Sequence, residues 1–393
     1  MIERNAAPAL RRLATQYPVL TVTGPRQSGK TTLCRALFPN HPYVNLEPID
    51  TRDEVRRDPR GFLAAHAKGA VVDEVQHVPE LLSYLQAEVD VDPTRGRFIL
   101  TGSQHFGLSE QVAQSLAGRT AVFQLLPLSL DEIRRFDGAS LDLMTTLWTG
   151  AYPRIFDRGI EPSRWYADYT TTYIQRNVRQ LLNVSNLEAF TTFLRLCAGR
   201  SSQELVLSSL GADAGVSQPT ARAWLSVLET SFLCHRVSPW HRNFRKQTVK
   251  APKLHFLDTG LVCFLLGIGS PDQLRSHPLR GAIFETWVAS EIYKARANAG
   301  QTVRLAHYRQ ARGPEVDLLV EASRALFLVE AKSGATVAAD FFAGLDGLAA
   351  LIARAEPHRT TERVLVYGGD EPRKHQQVSV VPWSRLPDVR WCD

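Results

Sequence analysis

The sequence has no long hydrophobic run, few cysteines and no repeated or low-complexity segment. No stretch approaches the ~18 consecutive apolar residues that a membrane-spanning helix requires, so we expect no membrane segment. The first twenty residues, MIERNAAPALRRLATQYPVL, lack the apolar core and small-residue cleavage site of a secretion signal. The five cysteines are far apart and form no C-x-x-C pair, which argues against disulfides and predicts free thiols in the cytoplasm.

The length and charge of the chain set broad limits on its class. At 393 residues, it is long enough for two or three domains. Changes of pattern along the chain predict three parts, at 1–138, 139–270 and 271–393. A net charge of +6 permits contact with nucleic acid without requiring it, because many basic proteins are merely soluble.

A glycine-rich loop near the N-terminus has the spacing G-x-x-x-x-G-K-[ST]. It follows an apolar run at 19–24 and precedes a segment with helical spacing at 30–38, which is the context that a phosphate-binding loop requires. Its backbone N–H groups and helix N-terminus would surround phosphate oxygens, Lys30 would hold the β- and γ-phosphates, and Thr31 would bind Mg²⁺. The residues predicted to bind ATP are Gly24, Pro25, Arg26, Gln27, Ser28, Gly29, Lys30, Thr31 and Thr32.

Two further strand candidates end in polar residues. The run at 70–72 is followed by Asp73 and Glu74, and the run at 97–101 is followed by Ser103. We predict that Asp73 completes the Mg²⁺ shell through water, that Glu74 polarises the attacking water and that Ser103 lies between the acids and the γ-phosphate. The alternative is that the acids cap a helix and the serine belongs to a turn.

Several blocks together resemble a known family. The segments GPRQSGKTTL, VVDEVQ, FILTGSQ, SLAGRTAVFQLLPLSLDEI, YIQRNVRQL and KLHFLDTGL are similar to AAA+-type P-loop ATPases of bacteria and archaea with a C-terminal restriction-endonuclease-like domain. The resemblance implies a homo-oligomer, a sensor role for Ser103 and an arginine finger at Arg119. Arg176 or Arg179 is an alternative finger, while Asn177 stands where the family often has an acid. The structural alternative is that Arg119 caps a helix or pairs with a surface carboxylate.

The middle of the chain has long helical periodicity. Residues 208–237 predict a helix-turn-helix whose second helix carries Ala221, Trp224, Leu225 and Leu228 on its apolar face. The following segment, 236–256, has no acid, as expected for a winged-helix hairpin that contacts DNA phosphates. A solvated basic rim is the alternative. The basic residues of the segment are Arg236, Arg242, Arg245, Lys246, Lys250 and Lys253.

The C-terminal part contains a set of carboxylates on predicted strands. Asp317 lies on one strand, and Glu330 and Lys332 lie two residues apart on the next, so both project from one face. With Glu285 on the preceding helix, the set matches the E…D…E-x-K order of PD-(D/E)XK nucleases, which the resemblance also implies. The acids would hold Mg²⁺ while Lys332 positions or deprotonates water. Alternatively, these side chains pair with one another across the strands.

The predicted fold class is α/β: a parallel P-loop sheet, a helical winged-helix-like middle and a C-terminal α/β domain of the PD-(D/E)XK type. We expect a cytoplasmic, Mg²⁺-dependent ATPase that acts on nucleic acid as a homo-oligomer, with ATP and Mg²⁺ as its cofactors and with a metal-dependent nuclease domain as a further possibility. The alternative is an ATP-gated regulatory or DNA- or protein-binding module whose nuclease-like domain does not cleave.

Overall fold

A computed structural model describes residues 2–103, 115–138, 142–174, 186–240, 251–310 and 313–392. Arg176, Asn177, Arg179 and the basic residues within 241–250 therefore lie outside the described residues. The chain divides into two compact units. Unit 1 comprises Met1–Pro127, Val227–Phe232 and Ala297–Gln301, and unit 2 comprises Leu128–Ser226, Leu233–Arg296 and Thr302–Asp393.

Unit 1 alternates strands with helices. Its strands are β1 (Val19–Gly24), β2 (Tyr43–Asn45), β3 (Ala70–Asp73), β4 (Phe98–Ser103) and β5 (Thr120–Gln124). Its helices are α1 (Ala7–Ala14), α2 (Lys30–Leu37), α3 (Ile49–Arg57), α4 (Pro59–Ala65) and α5 (Leu81–Val91), with a 3₁₀ turn at Val75–His77. Every residue of β1 and β4 is buried, which is typical of central strands in a parallel sheet with both faces covered.

The five strands form one parallel sheet in the order β2-β3-β4-β1-β5. Gly24 pairs with Ser103 at the ends of β1 and β4, and Val72 pairs with Leu100, so the carboxyl ends of β1, β3 and β4 lie at one edge. Because ligands of open α/β sheets bind at that edge, the topology brings the predicted loop and acids together. The parallel α/β sheet predicted for the N-terminal part is confirmed.

Gly24 is required where β1 meets the loop. Its φ is +147°, and a Cβ built at this position would lie 2.1 Å from the carbonyl oxygen of Leu125. No side chain fits at that distance, so the backbone approaches the segment after β5 only because residue 24 is glycine.

Unit 2 begins with helices and continues into a sheet. Its helices, two of which run on into the short segments of unit 1, are α6 (Leu130–Ile133), α7 (Leu143–Thr149), α8 (Pro153–Arg158), α9 (Pro162–Tyr169), α10 (Leu187–Gly199), α11 (Leu207–Asp213), α12 (Gln218–Thr230), α13 (Thr259–Leu265), α14 (Pro271–Ser276), α15 (Arg280–Asn298) and α16 (Ala343–Ala355). Shorter helical turns are Thr170–Ile174, Ala339–Phe342 and Trp383–Asp388.

The strands of unit 2 form a nine-stranded mixed sheet in the order β13-β14-β12-β11-β10-β9-β7-β8-β6. They are β6 (Gln203–Glu204), β7 (Cys234–Pro239), β8 (Lys253–Phe256), β9 (Leu305–Arg309), β10 (Glu315–Glu321), β11 (Leu326–Lys332), β12 (Thr361–Tyr367), β13 (Arg373–His375) and β14 (Val378–Pro382). One sheet thus contains strands from both sides of residue 270. The helices predicted around residues 208–230 are present as α11 and α12, while their winged-helix role stays a prediction.

The buried carboxylate of Asp258 joins three segments of unit 2. One of its oxygens accepts hydrogen bonds from the Leu261 N–H, which caps α13, and from the Tyr166 hydroxyl, at 2.8 Å and 2.6 Å. The other oxygen accepts the Ala151 N–H at 2.7 Å. Asp258 is only 3% exposed, and the Leu261 and Ala151 N–H groups depend on it for a partner, whereas the Tyr166 hydroxyl also lies 3.3 Å from the Thr149 carbonyl oxygen. No helix in the described ranges is long and apolar enough to cross a membrane.

We predict that Asp258→Ala lowers the free energy of unfolding by roughly 3 kcal/mol or more, because it leaves buried donors without an acceptor. Tyr166→Phe removes one donor and keeps the Leu261 and Ala151 N–H contacts of Asp258, so the expected loss in unfolding free energy is about 1–2 kcal/mol. Urea unfolding followed by circular dichroism measures both. Equal losses in the two variants would contradict a network centred on Asp258.

Candidate functional site

The glycine-rich loop of unit 1 connects β1 to α2. Gly29 precedes α2 with a left-handed φ of 93°, and Gln27 is also left-handed, with a φ of 62°. A non-glycine residue in this region is strained, and such residues cluster at functional sites. The first turn of α2 begins at Lys30, so its free backbone N–H groups and positive dipole end lie at the loop.

Lys30 is held inside the loop. Its ammonium donates hydrogen bonds to the carbonyl oxygens of Gly24 and Pro25, at 3.0 Å and 2.8 Å, and the residue is buried. Burial lowers its pKa to about 8, against the opposing effect of the Glu74 and Asp73 carboxylates. Anionic oxygens placed in the loop would bind this ammonium more strongly than two neutral carbonyls do.

Arg4 supports the loop from outside the motif. Its guanidinium donates to the carbonyl oxygens of Ser28, at 2.8 Å, and of Leu126, at 2.9 Å. The side chain is buried, and it connects the loop to the segment after β5. Arg4 was not among the predicted site residues, because it lies 24 residues before Ser28 and belongs to no motif.

The carboxylate of Asp73 has three hydroxyl donors. One of its oxygens accepts from Thr31 at 2.9 Å and from Tyr43 at 2.8 Å, and the other accepts from Thr101. Burial and the hydrogen bond to Asp73 raise the pKa of the Tyr43 phenol. A hydroxyl and a carboxylate in contact are hard oxygen donors of the kind that Mg²⁺ prefers beside a nucleotide, so Thr31 and Asp73 fit this ion.

Glu74 and Ser103 lie next to each other at the same sheet edge. The Ser103 hydroxyl is 3.4 Å from a Glu74 carboxylate oxygen, and the Gln76 amide contacts both side chains. Glu74 has a left-handed backbone, with a φ of 57°. The structure therefore brings Lys30, Thr31 and the two predicted acids together with Ser103 on one edge of the sheet.

A cavity of about 490 Å³ extends this edge along α2. Thr31 and Thr32 line it, together with Arg35 and Tyr43, and the Arg35 guanidinium lies 4.6 Å from the centre of the Tyr43 ring. Tyr43 and Thr101 were not among the predicted site residues. The sequence signal for Thr101 is its position two residues before Ser103, which places both side chains on the same face of β4.

Arg119 lies away from these groups in its own chain. It directly precedes β5, and its backbone carbonyl accepts the Val19 N–H, at the opposite end of β1 from the loop. Its guanidinium makes a two-pronged ion pair with Asp90, with one N–O distance of 2.9 Å. The structural alternative, pairing with a surface carboxylate, is thus present, and a finger role could only be exerted on another subunit.

Unit 2 brings the predicted C-terminal residues together. Asp317 on β10 accepts the Ala331 N–H at 3.0 Å, while Glu330 and Lys332 on β11 form an ion pair at 2.6 Å. Glu285 on α15 joins the cluster through Lys253, at 3.0 Å. Lys253, expected among the exposed basic residues, is instead buried at the start of β8, 3.6 Å from Asp317. That expectation is wrong because strand pairing turns this side chain inward.

The charges within this cluster nearly balance. Three carboxylates, of Glu285, Asp317 and Glu330, face two ammonium groups, of Lys253 and Lys332, which leaves one negative charge, and the exposed Glu315 carboxylate also lies 3.7 Å from Lys253. Burial and the Asp317 carboxylate raise the pKa of both glutamates. Burial alone would lower the pKa of Lys253, but Glu285 and Asp317 raise it. Both ammonium groups are therefore charged at neutral pH, because the neighbouring carboxylates also raise the pKa of Lys332.

The cluster as it stands does not fit a magnesium ion. The Lys253 ammonium lies between Glu285 and Asp317, where a shared cation would have to bind. In the described part of the chain, no group of three or more histidine, cysteine, aspartate or glutamate side chains is arranged to hold a metal ion. The metal-ligand role of Glu285, Asp317 and Glu330 stays a prediction that this geometry does not support.

Solved structures with a similar fold include the Walker-type ATPase PABY2304 of Pyrococcus abyssi, at 16% identity. The match covers 67% of this chain and 96% of that one, with a TM-score of 0.45. A RuvB structure of Thermotoga maritima is 17% identical, over 60% of this chain and 90% of that one, with a TM-score of 0.32. At TM-scores below 0.5, neither likeness bears on the function of this chain.

Family models cover most of the sequence. Residues 16–134 match an AAA domain, and residues 140–272 and 280–386 match two domains of unknown function, DUF8612 and DUF4143. The uncharacterized proteins Mb2031c of Mycobacterium bovis and Rv2008c of Mycobacterium tuberculosis are each 31% identical to this chain over 338 residues. That match spans 85% of this chain and 74% of each relative. The chain therefore belongs to the family of these two mycobacterial proteins, with a match to an AAA domain in its N-terminal part.

Proposed function

We propose that this protein is a Mg²⁺-dependent ATPase whose hydrolytic site lies at the carboxyl edge of the unit 1 sheet. The single observation that carries the proposal is the 2.9 Å contact between Thr31 of the loop and the buried carboxylate of Asp73. It places the two proposed metal ligands side by side, next to a helix N-terminus and a buried ammonium. The AAA domain match covers the same residues.

Each group of this edge has a distinct proposed role. The backbone N–H groups of the loop between Gly24 and Thr32 and the Lys30 ammonium bind the phosphates. Phosphate oxygens then replace the two carbonyl oxygens that accept from Lys30. Magnesium, held by Thr31 and Asp73, would neutralise charge on the β- and γ-phosphates. Glu74 orients the attacking water and accepts its proton, and the adjacent Ser103 hydroxyl and Gln76 amide keep that carboxylate in place.

We predict that Lys30→Ala abolishes ATP binding, whereas Glu74→Gln preserves binding and lowers the hydrolysis rate by about 10²-fold or more. The first change removes the cation that binds the phosphates, and the second removes only a base. Fluorescent-nucleotide titration measures binding, and phosphate release measures turnover.

Two variants serve as controls in the same assays. Lys68→Ala removes an exposed lysine of unit 1, and Glu80→Gln removes a carboxylate whose ion pair with Arg56 lies outside the site. Both should bind and hydrolyse ATP normally. Tight ATP binding by the Lys30→Ala protein would refute the proposal at its first step.

We further propose that the ATPase works as a homo-oligomer in which Arg119 of one subunit reaches the γ-phosphate of another. This role rests on the resemblance to AAA+ ATPases and on the partial exposure of the Arg119 side chain, which is 33% exposed although paired with Asp90. An arginine acting across a subunit boundary is worth ~10³–10⁵ in rate in related phosphoryl transfer.

If Arg119 acts in another subunit, Arg119→Ala should lower kcat with little change in ATP affinity, while Asp90→Ala should not. A purely structural ion pair would instead make the two variants equally impaired, because each breaks the same contact. Mixing Arg119→Ala with Lys30→Ala protein should restore some activity. In a mixed oligomer, the Lys30→Ala subunit supplies Arg119 to the intact ATP site of the Arg119→Ala subunit. Absence of any recovery in a mixed oligomer would count against the finger.

We also propose that the partner of the ATPase is DNA, and that unit 2 binds it without cutting. The basic segment 236–256, with its exposed Arg236 and the tandem Arg245 and Lys246, supports DNA contact. The ion-paired state of the C-terminal carboxylates favours the non-cleaving reading over the nuclease role of Lys332. ATP binding would then gate a DNA-binding module rather than drive a nuclease.

For DNA binding, we predict a steep salt dependence that Arg245→Ala with Lys246→Ala reduces, lowering the slope of log affinity against log salt by about 2. Fluorescence anisotropy with duplex and single-stranded DNA measures this slope. Lys374→Ala, at an exposed strand far along the sequence, is the matched control for loss of positive charge. An unchanged slope in the double variant would assign the segment to a solvated rim.

A further inference from the structure

We infer that Lys253 is the built-in cation of the C-terminal carboxylate cluster, so that this cluster binds no divalent metal. A metal-free cluster deepens the proposal that unit 2 does not cut DNA, and it is independent of the ATPase site in unit 1. It rests on a disagreement between the E…D…E-x-K pattern, which implies a metal, and the contacts that these side chains make.

The Lys253 ammonium has three carboxylate neighbours on two elements. It lies 3.0 Å from Glu285 on α15, and 3.6 Å and 3.7 Å from Asp317 and Glu315 on β10. Its side chain is 6% exposed, and those of Glu285 and Asp317 are 13% and 10% exposed. A buried ammonium is stable only when paired in this way, so Lys253 and the acids depend on each other.

The backbone of Lys253 is fixed on both sides. In the sheet, Lys253 pairs with Val237 of β7 and with Glu204 of β6. A magnesium ion bound by Glu285 and Asp317 would need oxygen ligands at about 2.0–2.1 Å in an octahedral arrangement, in the space that the ammonium occupies. Since β8 is paired on both sides, the backbone of Lys253 cannot move away from the acids without losing these pairings.

Most of the remaining oxygens of the cluster have partners within the chain. Asp317 accepts the Ala331 N–H with its second oxygen, and one oxygen of Glu330 pairs with Lys332, while the other Glu330 oxygen is buried without a hydrogen-bond partner. A single ammonium charge in place of a metal supplies no bound water of lowered pKa and no open coordination position for a phosphate. The cluster therefore stabilises the junction of α15, β8, β10 and β11 rather than activating water.

The test measures Mn²⁺ binding by electron paramagnetic resonance, without nucleotide, in the full-length protein and in its Lys253→Met variant. The wild-type protein should show no Mn²⁺ binding that depends on Asp317. Lys253→Met, which keeps the length of the side chain and removes its charge, should gain a site at least about tenfold tighter than any in the wild type. Adding Asp317→Asn to Lys253→Met should abolish that gain.

Lys294→Met is the matched control, because Lys294 is also buried and pairs with an acid, Glu291 at 2.9 Å, outside the cluster. It should gain no Mn²⁺ site. A wild-type Mn²⁺ site that Asp317→Asn removes would overturn the inference, as would a folded Lys253→Met protein with no gain. Should Lys253→Met fail to fold, Lys253→Gln replaces it, and the comparison of wild type with Asp317→Asn still decides the outcome.

Discussion

The carboxylate of Asp73 holds together three elements of unit 1. It ends β3, and hydroxyl groups from α2, β2 and β4 donate to it. A carboxylate with three donors has a fixed orientation, and through Thr31 it also fixes the first turn of the helix that follows the glycine loop. The order of the parallel strands creates this convergence, because it places the ends of β1, β3 and β4 at one edge.

Much of this edge could be predicted from local sequence. The loop has a fixed spacing between a strand and a helix, and Asp73, Glu74 and Ser103 each follow an apolar run, so only the parallel pairing of the strands had to be assumed. Tyr43 and Arg4 could not be found in the same way. Their contacts depend on which strand neighbours β3 and on where the N-terminal segment packs, and neither is encoded in adjacent residues.

The carboxylate cluster of unit 2 depends on sheet pairing, which the local sequence does not reveal. The order of Glu285, Asp317, Glu330 and Lys332 predicts that these residues meet, and in the structure they lie on one helix and two adjacent strands. Their contact with Lys253 could not be predicted. Lys253 belongs by sequence to a basic segment, but strands on both sides turn it toward the acids, so its partners follow from sheet pairing and not from its neighbours in the chain.

The nine-stranded sheet of unit 2 also limits how the polypeptide can be dissected. Strands β6 to β8 precede residue 270, and β9 to β14 follow it, with Ser238 of β7 paired to Ala306 of β9. Cleavage between the two parts would leave each fragment with an open strand edge of unpaired amides, which favours aggregation. The sequence boundary near residue 270 thus marks a change of local pattern, while the smallest independently soluble piece of this region has to include strands from both of its sides.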